Sequence, residues 1–162
     1  MATANNSVIL IVDDSADNLI ILSELLRPQY RVLAANSGEG CLRVANSSPK
    51  PDLILLDVMM PGMDGYSVLA RIKDSPVTRD IPVVFLTALA DAGDEERGLK
   101  LGAADYITKP IMQTVVLARV HTQLEAKMAR DWLQDQNAAL EAEVAHRMAE
   151  NDLTQRVSIR AL

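Results

Sequence analysis

Asp13, Asp14, Asp57, Thr87 and Lys109 are the residues of this chain whose types could do chemistry together. Carboxylates suit a hard divalent cation, which prefers oxygen ligands. An ammonium and a hydroxyl can both donate to the oxygens of an anion such as a phosphoryl group. Each of these residues stands at the C-terminal end of a short apolar run. Asp13 and Asp14 follow Val8-Ile9-Leu10-Ile11-Val12, and Asp57 follows Leu53-Ile54-Leu55-Leu56. Thr87 follows Val83-Val84-Phe85-Leu86, and Lys109 follows Tyr106-Ile107-Thr108. Continuous runs of Val, Ile and Leu read as strands of a parallel sheet buried on both faces. In such sheets ligands bind outside the carboxyl ends of the strands, so the five residues converge on one edge as a site for a metal and a phosphate.

The elements that must position them alternate along the chain. Leu19, Ile20, Leu22, Leu25 and Leu26 recur at helical spacing between Ser15 and Pro28, which ends that helix. Arg31 to Ala35 reads as a second strand, and Ser37 can cap a helix from Gly38 to about Ser47. Asp64 can cap a helix from Gly65 to Lys73, and a fourth strand begins near Pro82. A helix from about Asp91 to Leu101 is closed by Gly102, and a short fifth strand spans Asp105 to Thr108. Five strands separated by helices give a doubly wound α/β sheet.

All seven Gly and all seven Pro lie at or before Pro110. The stretch from Ile111 to Leu162 has no breaker and predicts one long helix, up to about 75 Å if unbroken. Val115, Val116, Val120 and Leu124 would pack on the sheet. Beyond Ala126, Leu133, Asn137, Leu140 and Val144 fall at d, a, d, a of a heptad, the pattern of a parallel two-stranded coiled coil. Arg147 and Asn151 weaken its continuation, while Met148, Leu153 and Val157 are phase-shifted, as a stutter would make them. A solitary solvated helix is the alternative. The expected division is a disordered start at residues 1–7, a globular domain at 8–125 and a helical linker at 126–162.

The bulk numbers narrow the function. A chain of 162 residues with 49% hydrophobic content can build one real core and an appendage. A net charge of −6 argues against direct nucleic-acid or anionic-membrane binding. The single cysteine, Cys41, excludes an internal disulfide and fits a reducing cytoplasm as a buried structural thiol. No basic leader and no apolar run near ~20 residues occurs, so neither a signal peptide nor a membrane span is expected.

The chain resembles the receiver domain of two-component response regulators from about Val8 to about Val120. The resemblance rests on the acidic pair, on Asp57-Val58-Met59-Met60-Pro61-Gly62-Met63-Asp64-Gly65, on Leu86-Thr87-Ala88, and on Gly102-Ala103-Ala104-Asp105-Tyr106-Ile107-Thr108-Lys109-Pro110, all in order. It implies a flavodoxin-like strand order 2-1-3-4-5 and a phosphoryl group passed from a histidine kinase to Asp57. It further implies Mg²⁺ held by Asp13, Asp14, Asp57 and the Met59 carbonyl. Lys109 and Thr87 would meet phosphoryl oxygens, Thr87 and Tyr106 would act as the switch pair, and the Lys109-Pro110 bond would be cis. Ala88 leaves room for the incoming group.

Plainer readings stand beside these. Asp13 and Asp14 could merely cap the helix at Ser15, which does not account for Asp57 and Lys109 as well. Tyr106 could be a half-buried strand tyrosine. Met59, Met60 and Met63 read as loop packing, since hard Mg²⁺ avoids thioethers. His121 and His146 read as helix-surface residues without carboxylate spacing. A dehalogenase-like phosphatase would need a second carboxylate two residues after its nucleophile, where Met59 stands. A scaffold pseudo-receiver would lack one of Asp14, Asp57 or Lys109, and none is missing.

The stretch Arg130 to Val144 resembles the linker between a receiver and an HD-GYP domain, a metal-dependent cyclic di-GMP phosphodiesterase. Thr154 to Leu162 resembles the opening of that domain, although neither a His-Asp pair nor a Gly-Tyr-Pro run occurs in the chain. The expected partners are a histidine kinase, a second copy through the C-terminal helix and a covalently linked output. The remaining alternatives are another output, such as a diguanylate cyclase, or a stand-alone regulator. The chain itself is not expected to be an enzyme.

Overall fold

The structure, a computed structural model, describes residues 6–88 and 92–161. Five strands form one parallel sheet: β1 (Val8–Val12), β2 (Arg31–Ala35), β3 (Leu53–Asp57), β4 (Val83–Thr87) and β5 (Asp105–Thr108). Their order is β2-β1-β3-β4-β5, the flavodoxin-like order that the resemblance implied. The helices between them are α1 (Ala16–Leu26), α2 (Gly38–Ala45), α3 (Gly65–Asp74) and α4 (Ala92–Lys100), followed by the long α5 (Gln113–Ala161). The expected start of α4 at Asp91 and most of the expected disordered start lie outside the described residues.

Local chemistry sets the helix starts. Ser15, Ser37 and Asp64 are the N-caps of α1, α2 and α3, and each side chain accepts a backbone N–H from the first turn. α2 ends at Ala45, with Asn46 at its C-cap, so it is shorter than the expected run to Ser47. α4 ends short of Gly102, whose φ of +103° is a conformation that suits glycine.

The central strands β1, β3 and β4 are buried along their whole length. Alternate side chains serve two cores, because successive strand residues point to opposite faces. Leu10, Val12, Ile54, Leu56, Val83 and Phe85 pack with Cys41 and Ala45 of α2 and with Val68, Leu69 and Ile72 of α3. Ile9, Ile11, Leu53, Leu55, Val84 and Leu86 pack with Leu22 and Leu26 of α1 and with Val116, Val120 and Leu124 of α5. Buried Cys41 has its thiol pushed up to about 12 by burial, which fits the structural thiol expected of it.

The chain divides into two compact units, Met1–Lys127 and Met128–Leu162. In the first, Lys127 Nζ lies 3.6 Å from Asp52 Oδ1, and Asp52 Oδ2 accepts the N–H of Val8 at 2.8 Å. The second is the remainder of α5.

Candidate metal and phosphoryl site

The parallel sheet brings the acidic residues to one edge, as the strand ends predict. Asp57 is the last residue of β3 and only 3% exposed. Its neighbour Val58 donates its N–H to Leu86 O of β4 at 3.1 Å, which fixes the backbone on that side. On the other side, a Cβ at residue 65 would stand 2.6 Å from Asp57 O and 2.8 Å from Val58 Cα, so the start of α3 there requires glycine. The N–H of Met59 donates to Asp57 Oδ1 at 3.2 Å.

Asp13, directly after β1, is fully buried and heavily bonded. Its Oδ1 accepts the N–H of Ser15 at 2.9 Å. Its Oδ2 accepts from Asn18 Nδ2 at 3.1 Å and from Lys109 Nζ at 3.3 Å. Asp14, by contrast, is exposed. One carboxylate oxygen from each of Asp13, Asp14 and Asp57 can be chosen so that all lie within 4.8 Å of one another. An all-oxygen donor set of this kind fits Mg²⁺, which keeps several waters and needs few protein ligands.

Lys109 reaches this cluster from the far side of the sheet edge. Its N–H donates to Thr87 O at 2.7 Å, and the Lys109–Pro110 bond is cis. Its ammonium lies 3.4 Å from Asp57 Oδ1 as well as 3.3 Å from Asp13 Oδ2, so it bridges two carboxylates. Burial pushes the Asp57 carboxyl up from the ordinary 3.8 to about 6, and the charge of Asp13 adds to that. The charge of Lys109 and the Met59 N–H pull the other way.

Thr87 closes β4 and is buried, one register step beyond the Asp57–Leu86 pair. Tyr106 on β5 is half-buried opposite Phe85 and packs on the α2/α3 core. Met59 is 63% exposed, Met60 is buried, and Met63 packs on the core, which leaves the methionines as loop residues.

The structure corrects the reading of the histidines. His121 Nε2 lies 3.0 Å from Glu125 Oε1 and His146 Nε2 lies 3.0 Å from Glu150 Oε1, so each does have a carboxylate one helical turn on. Leu133, Asn137, Leu140 and Val144 are all exposed along α5. Two contacts were missed. Asn18 on Asp13 could have been noticed as an amide where the first turn usually carries an acid. Arg97 stacks 4.2 Å over the Tyr66 ring, a contact for which the sequence offers no local signal.

This fold and this cluster are those of a phosphoacceptor signalling module, and the chain belongs to the response regulator receiver domain family, whose model matches residues 9–121. It is 44% identical over its full 162 residues to a Vibrio cholerae protein named "Probable cyclic di-GMP phosphodiesterase", of which it covers 36%. It is 45% identical over 132 residues, 81% of the chain, to the response regulator PleD of Caulobacter vibrioides, of which it covers 29%. The chain thus spans about a third of the length of these curated relatives. The crystal structure of a receiver domain of a Syntrophus aciditrophicus signal transduction histidine kinase superposes with a TM-score of 0.67 at 39% identity. That match covers 74% of this chain and 91% of that one. Receiver domains are in general non-catalytic signalling modules. Among the described residues, no helix is long and apolar enough to cross a membrane.

Proposed function

We propose that Asp57 is the phosphoacceptor, charged by a histidine kinase in the cytoplasm. The supporting observation is the cluster itself: three carboxylates within reach of one cation and a lysine ammonium 3.4 Å from Asp57. An oxygen of Asp57 forms the new P–O bond as the P–N bond to the donor imidazole breaks, and the imidazole nitrogen keeps the electron pair. Such transfer depends on positioning and charge neutralisation more than on covalent chemistry. Asp13, Asp14, Asp57 and the Met59 carbonyl are the residues that would hold Mg²⁺, which when bound neutralises phosphoryl oxygens. Lys109 and Thr87 supply donors to the same oxygens, and Thr87 with Tyr106 carries the change onward. Acetyl phosphate with Mg²⁺ should label the wild type and leave Asp57→Asn unlabelled by mass spectrometry. Equal labelling of the two would reject the assignment.

The output we assign is an HD-GYP cyclic di-GMP phosphodiesterase joined to α5. The name of the Vibrio cholerae relative, which matches through the tail as well as the receiver, supports it. Continuation of the reading frame beyond Leu162 into a His-Asp pair and a Gly-Tyr-Pro run tests it. We further propose that residues 126–162 pair two chains in parallel through Leu133, Asn137, Leu140 and Val144. The apolar members of that seam are more than half exposed within one chain. Sedimentation should show a dimer for the full chain and a monomer for a chain ending near Ala126. A truncated chain that dimerises equally well would move the interface onto the receiver.

A further inference from the structure

Asn18 stands where helix-start chemistry ordinarily wants an acceptor. In a capping box, the third residue of the helix is an acid or its amide, whose oxygen takes the N–H of the N-cap residue. In α1 the N-cap is Ser15, and its N–H is already taken by Asp13 Oδ1 at 2.9 Å. The third position is therefore released from capping, and Asn18 points its amide the other way, donating from Nδ2 to Asp13 Oδ2 at 3.1 Å. Facing a carboxylate, only the NH₂ end of the amide is attractive. That same Oδ2 also accepts from Lys109 at 3.3 Å, and Lys109 sits 3.4 Å from Asp57.

We propose that Asn18 is a positioning residue for phosphoryl transfer. By satisfying Asp13 Oδ2, it keeps the Lys109 ammonium shared between Asp13 and Asp57 and ready to pass to a phosphoryl oxygen. The inference rests on the reading of Asp57 as phosphoacceptor. Without the amide, Oδ2 of fully buried Asp13 has Lys109 as its remaining side-chain donor, and the lysine is held there. An aspartate at residue 18 would do worse, adding a fourth carboxylate to the cluster. Yet aspartate near a helix N-terminus favours the helix, so a role confined to starting α1 would be served as well or better by it. The two roles therefore predict opposite outcomes for one isosteric change.

The experiment uses the full 162-residue chain as wild type, Asn18→Asp and Asn18→Leu, with Asn18→Ala standing in for Leu should that variant fail to fold. Mg²⁺ affinity is measured by calorimetry, beryllofluoride binding in saturating Mg²⁺, and the maximal rate of Asp57 labelling by acetyl phosphate. The expected result is a labelling rate and beryllofluoride affinity about tenfold lower in both variants, the worth of one hydrogen bond to a charged group. Mg²⁺ affinity should be no weaker, and in Asn18→Asp it should be tighter. Variants that label like wild type overturn the inference and leave the phosphoacceptor reading intact. Variants that lose Mg²⁺ affinity in step with rate also overturn it, since Asn18 would then act on the metal ligands and not through Lys109. A wild type that takes neither beryllofluoride nor label overturns both.

Discussion

The two halves of α5 share a composition of good helix formers and differ in what surrounds them. Val116, Val120 and Leu124 are no more than 1% exposed against the sheet, whereas Leu133, Leu140 and Val144 are 55%, 56% and 53% exposed. Propensity accounts for the continuity of the helix through both halves. Burial accounts for the stability of the first alone, since each such side chain removed from water is worth roughly 1.5–3 kcal/mol. The second half must obtain that stabilisation from another molecule or do without it.

The sharpest way to break this comparison is to cut the same residue type in both halves. Leu124→Ala should destabilise the chain by about 2–4 kcal/mol, since it opens a cavity in a closed core. Leu140→Ala should cost less than about 0.5 kcal/mol at concentrations too low for pairing, as exposed positions do. Urea melts of the two variants check both figures, and equal losses would mean that the distal half is buried after all.

Buried charge in the first unit makes a second contrast. The carboxyl of Asp57 titrates at about 6 in the folded chain against 3.8 when unfolded. A raised carboxyl favours the folded state only while it is protonated. The penalty is therefore absent below about pH 4, grows between there and pH 6, and is complete above it. Without Mg²⁺, Asp57→Asn should gain on the order of 2 kcal/mol at neutral pH and almost nothing at pH 4. Adding Mg²⁺ should stabilise the wild type and narrow that gap. Thermal melts at the two pH values, with and without the metal, give the sign.

The smallest effect belongs to the tail. Arg147 Nη2 lies 2.8 Å from Glu143 Oε1, but both side chains are more than half exposed. Arg147→Ala should change stability by a few tenths of a kcal/mol, and less in high salt. A loss above 1 kcal/mol by calorimetry would place this pair in a protected interface.

The sequence carried the fold well because local and global signals agreed. β2 and β5 occupy the bounds that Arg31–Ala35 and Asp105–Thr108 suggested, and two of the three caps were visible as Ser37 and Asp64, whereas Ser15 caps α1 where the acidic pair Asp13-Asp14 had been the candidate. The identities at the site were legible for a topological reason: residues that follow apolar runs in a parallel sheet must share an edge. What could not be read were choices made by long side chains among several acceptors. Lys109 could pair with either carboxylate, and it lies near both. The Arg97–Tyr66 stack depends on how α4 lies against α3, which no spacing within either helix encodes.

The bridging lysine has a consequence for ion selectivity. Three carboxylates against one ammonium leave the cluster with two formal negative charges. A divalent cation matches that charge, whereas one sodium or potassium ion would leave half of it unbalanced. If the cluster holds Mg²⁺ as proposed, Lys109 would be a resident counter-ion that lowers the negative charge the metal has to balance. On that reading, arrival of a phosphoryl group would be an exchange of partners within a nearly neutral cluster, not the forcing of a further anion onto three bare ones.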